Sequence, residues 1–260
     1  MKNVQKLIDT PIANTLARSY SPLLYPRKLR ELLESVTPGS DYSGHDKYAL
    51  HLEVNKLLSQ TYQGEELIKY QIARRYVQKN TVAAFEIKVG NSRADFVSIN
   101  GVSRCYEIKT ELDNLSKLIK QSWDYTSVFE YNTIILDEKH LSRADEDLPQ
   151  EYGIMIIGKR SLIPYRRAKK NTNICSICQL KMLTNKELEI FFECDKNEID
   201  RILEKFSANM INKKFKLVLK KRYQERWDFV CTHHDNILPI DFQFFFSTLE
   251  SPSLLYQRKF

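Results

Sequence analysis

The spacing of hydrophobic side chains predicts a helical region over about the first 80 residues. Pro26 can occupy the first turn of a helix that Pro38–Gly39 would end. A second helix is expected over residues 47–58 and a third over residues 64–78. On the third helix, three side chains recur at intervals of four and share one face: Ile68, Ile72 and Tyr76.

From residue 84 the hydrophobic pattern alternates with a period of two, which is typical of half-buried strands. The alternation covers residues 84–89, 94–99 and 103–108. Asn100–Gly101 separates the second stretch from the third and is a strong hairpin signal. The pattern therefore predicts three consecutive antiparallel strands.

A helix is predicted over residues 112–129, with Asp113 or Asn114 near its start. Two apolar runs follow, at residues 131–136 and 153–157, and both are typical of buried strands. The order helix, three strands, helix, strand, strand predicts an α/β (α+β) fold in which helices flank a mixed sheet.

Three regions are expected along the chain. Residues 1–59 form a helical N-terminal extension, residues 60–160 form the α/β core, and residues 161–260 form a basic, mostly helical C-terminal region packed on that core. In the last region, Thr184 and Asp195 are predicted helix N-caps, and Asp195 stands three residues before a glutamate, as in a capping box.

The predicted hairpin brings together residues that can carry chemistry. Glu107 and Lys109 lie two positions apart on one strand and so project from the same face, which Asp95 on the partner strand can reach. Two carboxylates there would form a hard oxygen site for Mg²⁺ or Mn²⁺, and the lysine could orient or activate a water. Such a site suits hydrolysis of a phosphodiester. The alternative is a solvated charged face, but the flanking apolar residues favour burial.

The register of the hairpin decides whether this site can form. A two-residue Asn100–Gly101 turn would pair Ile99 with Val102 and leave Asp95 opposite Tyr106. A shift by one residue is needed to bring Asp95 opposite Glu107. We therefore expect a three-residue loop, with Gly101 at positive φ, or a bulge before Glu107.

Asp95 followed by Glu107-Ile108-Lys109 resembles the signature of the PD-(D/E)XK nuclease superfamily. Gln121 and Tyr125 match the Gln-x-x-x-Tyr element of its RecB-like branch. The resemblance implies a restriction-endonuclease-like core, catalytic roles for Asp95, Glu107, Lys109, Gln121 and Tyr125, and Mg²⁺ or Mn²⁺ as cofactor. One departure is that Ala94 stands where the proline of the superfamily's name would precede the aspartate.

The same resemblance implies a third metal ligand from the helix before the first strand. Glu65 is our choice, because it precedes Ile68 and Ile72 by three and seven positions, and Glu66 is the alternative. The wider pattern, which includes the closing segment 239–246, is also similar to a little-characterised group of bacterial proteins built on this core.

The excess positive charge of the chain is concentrated in one stretch. The formal net charge is +7 and the pI is about 9.0. Residues 151–230 hold 18 basic and 10 acidic side chains, so the excess is concentrated there. We predict a nucleic-acid-binding surface in this stretch, although a solvated helical face is the alternative. The predicted contact residues are Arg166, Arg167, Lys169, Lys170, Lys213, Lys214, Lys220, Lys221 and Arg222.

Cysteine and hydropathy patterns exclude other classes. No window approaches the roughly 18–20 apolar residues of a membrane span, and the start lacks a signal-peptide pattern. Five scattered cysteines do not form a disulfide framework, so a cytoplasmic protein with reduced thiols is expected. Cys175 and Cys178 form one CxxC pair, which leaves zinc binding open, but structural thiols are favoured without a second pair.

Together these features predict a metal-dependent nuclease, with DNA as the favoured substrate and no membrane partner. The alternative is a catalytically inactive protein of the same fold that binds nucleic acid or another partner. The sequence leaves open a homodimer, the strandedness of the substrate, and whether cleavage is internal or from an end.

Overall fold

The computed structural model describes residues 8–62, 64–77, 79–159 and 161–257. The chain forms two compact units, of which the first combines residues up to Ile72 with those from Phe229 onward. The second is Ala73–Asp228. This division differs from the three consecutive regions expected from the sequence, because the two ends of the chain belong to one unit.

Helices build the first unit. They are α1 (Thr10–Ser19), α2 (Pro26–Val36), α3 (Lys47–Thr61), α4 (Glu65–Ala73), α11 (Phe242–Thr248) and α12 (Pro252–Gln257). The predicted start of α2 at Pro26 is confirmed. The third predicted helix is shorter than expected, because α4 ends at Ala73 and Tyr76 lies in a turn. Gln78, the last residue predicted for this helix, lies outside the described residues.

A buried cluster of polar side chains lies within the first unit. The Asp241 carboxylate accepts hydrogen bonds from the hydroxyls of Tyr20 (3.0 Å) and Tyr256 (2.7 Å), and the Tyr20 hydroxyl also contacts His51 Nδ1 at 2.8 Å. Burial raises the pKa of Asp241 to about 7, although the two tyrosines oppose the shift. Burial, together with the charge of Lys47, lowers the pKa of His51 to about 3.

The raised pKa of Asp241 makes stability depend on pH. Its stabilising contribution is present below the usual pKa of 3.8 and is lost as the pH rises through about 7. We expect the free energy of unfolding of the wild type, relative to Asp241→Asn, to fall by up to about 4 kcal/mol between pH 4 and pH 8. Urea denaturation at both pH values measures this, with exposed Glu34→Gln as control. A difference that does not change with pH would contradict the assignment.

A six-stranded mixed sheet forms the centre of the second unit. Its strands are β1 (Val82–Val89), β2 (Ser92–Asn100), β3 (Val102–Lys109), β4 (Tyr131–Leu136), β5 (Gly153–Ile157) and β6 (Leu162–Arg166). They lie side by side in chain order. The pairs β3/β4 and β4/β5 are parallel, and the other three pairs are antiparallel.

The fold class predicted from the sequence is confirmed, as are five of the six strands. β6 was missed, since residues from 161 were expected to be mostly helical. The predicted helix over 112–129 is shorter, because α5 spans Leu118–Thr126. Before it, the Asp113 carboxylate accepts from the Thr110 amide (2.7 Å) and Asn114 accepts from the Ser116 amide (3.1 Å). These side chains stabilise turns instead of capping a helix.

The remaining helices follow the strands. They are α6 (Leu141–Asp147), α7 (Ser176–Lys181), α8 (Asn185–Phe192), α9 (Ile199–Lys205) and α10 (Ala208–His233). Both predicted N-caps are confirmed, and Thr184 and Asp195 each form a capping box. Within the described part of the chain, every helix is too short or too polar to cross a bilayer.

The two faces of the sheet bury different material. On one face, Phe96 packs near Phe85, Tyr106 and Trp227, with ring centroids 5.2–6.2 Å apart. On the other, apolar residues of α5 and α6 pack on β4 and β5. Since alternate residues of a strand point to opposite faces, the neighbours of Phe96 and Tyr106 point towards α5.

Candidate active site

The register predicted for the hairpin is confirmed. Phe96 pairs with Tyr106, Ile99 with Ser103 and Asn100 with Val102, so the pairing is shifted by one residue from that of a two-residue turn. Gly101 alone lies between the two strands, and its φ is 70°. Continuing this register brings Asp95 opposite Glu107, and opposed residues of antiparallel strands share a face. The two carboxylates therefore lie on the same face of the sheet.

The Asp95 side chain connects β2 to β3. Its Oδ2 accepts a hydrogen bond from the Ile108 amide at 2.6 Å. Only 9% of Asp95 is exposed, and 2% of Glu107. A solvated charged face, the alternative considered from the sequence, does not describe these two buried carboxylates.

Glu107 is held by three side chains that the sequence had grouped with it. Its Oε1 accepts from Lys109 Nζ (2.6 Å) and Gln121 Nε2 (2.5 Å), and its Oε2 accepts from the Tyr125 hydroxyl (2.8 Å). The spacing of four places Gln121 and Tyr125 on the same face of α5. The Tyr125 hydroxyl also lies 2.8 Å from the Arg93 carbonyl oxygen. This network fixes the orientation of the Glu107 carboxylate.

Burial and charge act against each other in this network. Burial raises the pKa of Glu107, although Lys109 and the hydrogen bonds of Tyr125 and Gln121 oppose it. Burial alone would lower the pKa of Lys109, but the carboxylates of Glu107, Asp95 and Asp113 outweigh it and raise that pKa. Lys109 is thus a cation at neutral pH, fixed beside two carboxylates.

Glu86 is a site residue that the sequence analysis missed. A carboxylate oxygen of Glu86 lies within 4.8 Å of one of Asp95, on the neighbouring strand. Glu86 has a φ of 56°, which non-glycine residues seldom adopt, and its carboxylate lies 3.8 Å from Arg93 Nη1. Strained backbone of this kind is often found at functional sites. Alternation along β1 gave no signal for it.

Two further observations concern predicted site residues. The Gln121 Oε1 atom is buried and has no hydrogen-bond partner among the described residues, while its Nε2 is bound to Glu107. Glu65, predicted as a third metal ligand, lies at the start of α4 in the first unit, where its carboxylate pairs with Lys69. Its role as a ligand stays a prediction.

The predicted basic surface divides into two kinds of residue. Three of its cations are only partly exposed and contact groups of the protein, and their role in nucleic-acid binding stays a prediction. Arg166 contacts Asp145 (2.9 Å), Arg222 pairs with Glu187 (2.5 Å), and Lys214 Nζ donates to the Phe191 carbonyl (2.7 Å). Five others are exposed: Arg167, Lys169, Lys170, Lys213 and Lys221. Lys220 is half-buried.

The CxxC pair has a structural role. Cys175 is the N-cap of α7, and its Sγ accepts from the Cys178 amide at 3.3 Å. Among the described residues, no third cysteine, histidine or carboxylate lies close enough to complete a zinc site. All five cysteines are free thiols.

Comparison with known families assigns the chain to one of them. Residues 55–245 match the family described as bacteriophage P4 protein cII, so the chain belongs to that family. No curated protein shows significant similarity to the sequence. Among solved structures, a protein of unknown function from Silicibacter pomeroyi is similar to this chain, with 15% sequence identity and a TM-score of 0.32. The match covers 60% of this chain and 89% of the other.

Proposed function

We propose that the protein is a metal-dependent nuclease that hydrolyses phosphodiester bonds of nucleic acid, with DNA as the favoured substrate. The observation that supports this most is the hairpin register, which brings two buried carboxylates to one face beside a lysine. Burying two like charges together is costly unless they are paired or bind a cation. The resemblance of the Asp95, Glu107 and Lys109 pattern to the PD-(D/E)XK superfamily supports the same function.

The residues fit Mg²⁺ or Mn²⁺ as a cofactor. Asp95 and Glu107 would hold the ion, and Glu86 is a further candidate, because hard cations prefer carboxylate oxygens. The Gln121 Oε1 atom is buried without a partner among the described residues, and because buried acceptors are normally hydrogen-bonded, it favours binding of a donor such as a water in this site. When bound, the ion would supply Lewis-acid activation of the phosphate and of a water.

The side chains of the site have distinct parts in the proposed reaction. Lys109 stabilises the negative charge that develops on the phosphate, because its ammonium group is fixed and partly shielded from solvent. Gln121 Oε1 can accept a hydrogen bond from the attacking water. Tyr125 and Gln121 Nε2 hold the Glu107 carboxylate in place and act as positioning residues.

A cleavage assay tests the proposal. Purified protein is incubated with labelled single-stranded, linear duplex and circular DNA and with RNA, in Mg²⁺, Mn²⁺ or EDTA. We expect cleavage of at least one DNA substrate in either metal and none in EDTA. Binding without cleavage under all conditions would overturn the proposal and favour an inactive nucleic-acid-binding protein. The proposal keeps the cytoplasmic location expected from the sequence.

The lysines of α10 give an electrostatic prediction. Replacing Lys220 and Lys221 with glutamine should weaken DNA binding and flatten the plot of log K against log salt concentration. The slope should fall by about 0.9 for each duplex phosphate that the protein no longer neutralises, or by about 0.7 on a single strand. Fluorescence anisotropy at several salt concentrations measures it, with exposed Lys186→Gln as control. An unchanged slope would show that this part of α10 is only a solvated face.

A further inference from the structure

A cavity of about 500 Å³ lies in the second unit beside α5. Its lining includes Trp123 and Thr126 of α5, Asn132 at the start of β4, and Lys169, Lys170 and Asn171 after β6. The volume falls within the range of pockets that hold small organic groups. Neither the proposed catalytic residues nor the packing of the sheet accounts for it.

Trp123 gives this cavity an aromatic wall. Its side chain is 68% exposed, which is unusual for the largest apolar residue. By contrast, Trp227, the other tryptophan of the chain, is 1% exposed and packs near Phe96. An exposed indole offers a flat π-face on which a ring of a ligand can stack.

The polar lining favours a ligand that is anionic and also carries a hydrogen-bond donor. Lys169 and Lys170 are exposed, while Glu151 is the acidic residue among the described lining residues. Asn132 is only 2% exposed, and its Oδ1 has no hydrogen-bond partner among the described residues, although its Nδ2 donates to the Phe129 carbonyl at 3.1 Å. A ligand N–H group, or a water that the ligand holds, would satisfy that acceptor.

We infer that this cavity binds a nucleobase of an unpaired nucleic-acid strand. A base stacks on Trp123, its N–H groups face the Asn132 acceptor, and the phosphates on either side contact Lys169 and Lys170. A paired base has its ring faces covered by neighbouring bases, so a duplex cannot use the cavity without unstacking. The inference deepens the proposed function, on which it rests, by naming a single strand as the substrate class.

The cavity and the candidate active site share helix α5. Gln121 and Tyr125 face Glu107, whereas Trp123, two positions from each, lies on the other side of the helix. An α-helix with its side chains is about 10–12 Å across, so the two sites are separated by about the width of one helix. One strand can therefore reach both sites.

Binding in EDTA tests the inference without requiring cleavage. The ligands are a labelled 12-nucleotide single strand, the same strand with abasic positions, a hairpin duplex of the same sequence, and dAMP. The proteins are wild type, Trp123→Ala and Ile119→Ala, the last as a control because Ile119 is also exposed on α5 but does not line the cavity. Circular dichroism verifies that each variant is folded.

We expect the single strand to quench tryptophan fluorescence in the wild type, and Trp123→Ala to weaken its binding about 5- to 100-fold. Ile119→Ala should bind within about two-fold of wild type, and the abasic strand should lose the dependence on Trp123. Equal binding of the single strand by wild type and Trp123→Ala would overturn the inference. The inference would also be overturned if dAMP displaced the single strand at a concentration similar to that at which the strand binds, since the cavity would then be a site for free nucleotide.

The two proposals fail separately in this design. A protein that binds the single strand through Trp123 but cleaves nothing would overturn the proposed nuclease function and leave the binding site in place. A protein that cleaves single strands equally well with and without the Trp123 side chain would retain the nuclease function and overturn the nucleobase site.

Discussion

Glu107→Gln and Asp95→Asn are each expected to lower the rate of cleavage by about 1000-fold or more. Each substitution removes a negative oxygen from the proposed metal site while preserving the size of the side chain. Asparagine at position 95 can still accept the hydrogen bond of the Ile108 amide, so the contact between β2 and β3 is retained. Nucleic-acid affinity should remain near that of the wild type. Each substitution removes a metal ligand, which weakens phosphate binding, but it also removes negative charge near the phosphate, which strengthens it.

Single-turnover cleavage at saturating metal measures this effect. Glu146→Gln is a matched control, since Glu146 is an exposed carboxylate on α6 and should retain the parental rate. Thermal unfolding of Glu107→Gln provides a second control, because the substitution leaves Lys109 without its 2.6 Å ion pair. If either folded variant cleaves at the wild-type rate, the assignment of these two residues is wrong.

Lys109→Met should lower single-turnover cleavage by about 100- to 1000-fold, because it removes the cation proposed to stabilise charge in the transition state. Methionine fills a similar volume, so the packing beside Glu107 is retained. Mn²⁺ binding, followed by electron paramagnetic resonance, should survive. Lys120→Met, at an exposed position of α5, is the control for removal of a lysine. A parallel decrease in metal binding and cleavage would contradict the separate role given to Lys109.

The sequence was sufficient to predict the central part of the candidate site. Alternation located β2 and β3, and the requirement that Asp95 and Glu107 share a face predicted the loop with Gly101 at positive φ. The spacing of four between Gln121 and Tyr125 predicted that both lie on one face of a helix, and the resemblance to the RecB-like branch implied that they line the site. These features depend on local geometry, which residue order determines directly.

Features that depend on distant contacts were not predictable. Glu86 lies near Asp95 and has a positive φ, which no local residue pattern predicted. Arg222 looked like one cation of a basic run, but Glu187, 35 positions earlier, pairs with it. A run of basic residues in the sequence does not indicate which acidic side chain each of them pairs with.

Local competition explains the errors in secondary structure. Asp113 and Asn114 are good helix caps and equally good turn formers, and the structure uses them in turns before α5. β6 contains Pro164, which disfavours a strand in sequence patterns but is tolerated in an edge strand.

The most direct test of the central claim is single-turnover cleavage of labelled DNA by wild type and by the Asp95→Asn, Glu107→Gln double variant, purified in parallel. We predict that the wild type produces cleaved strands with Mg²⁺ or Mn²⁺ and none with EDTA, while the folded double variant produces no more than buffer alone. Equal product from the two proteins, or no product from the wild type in either metal, would contradict the account.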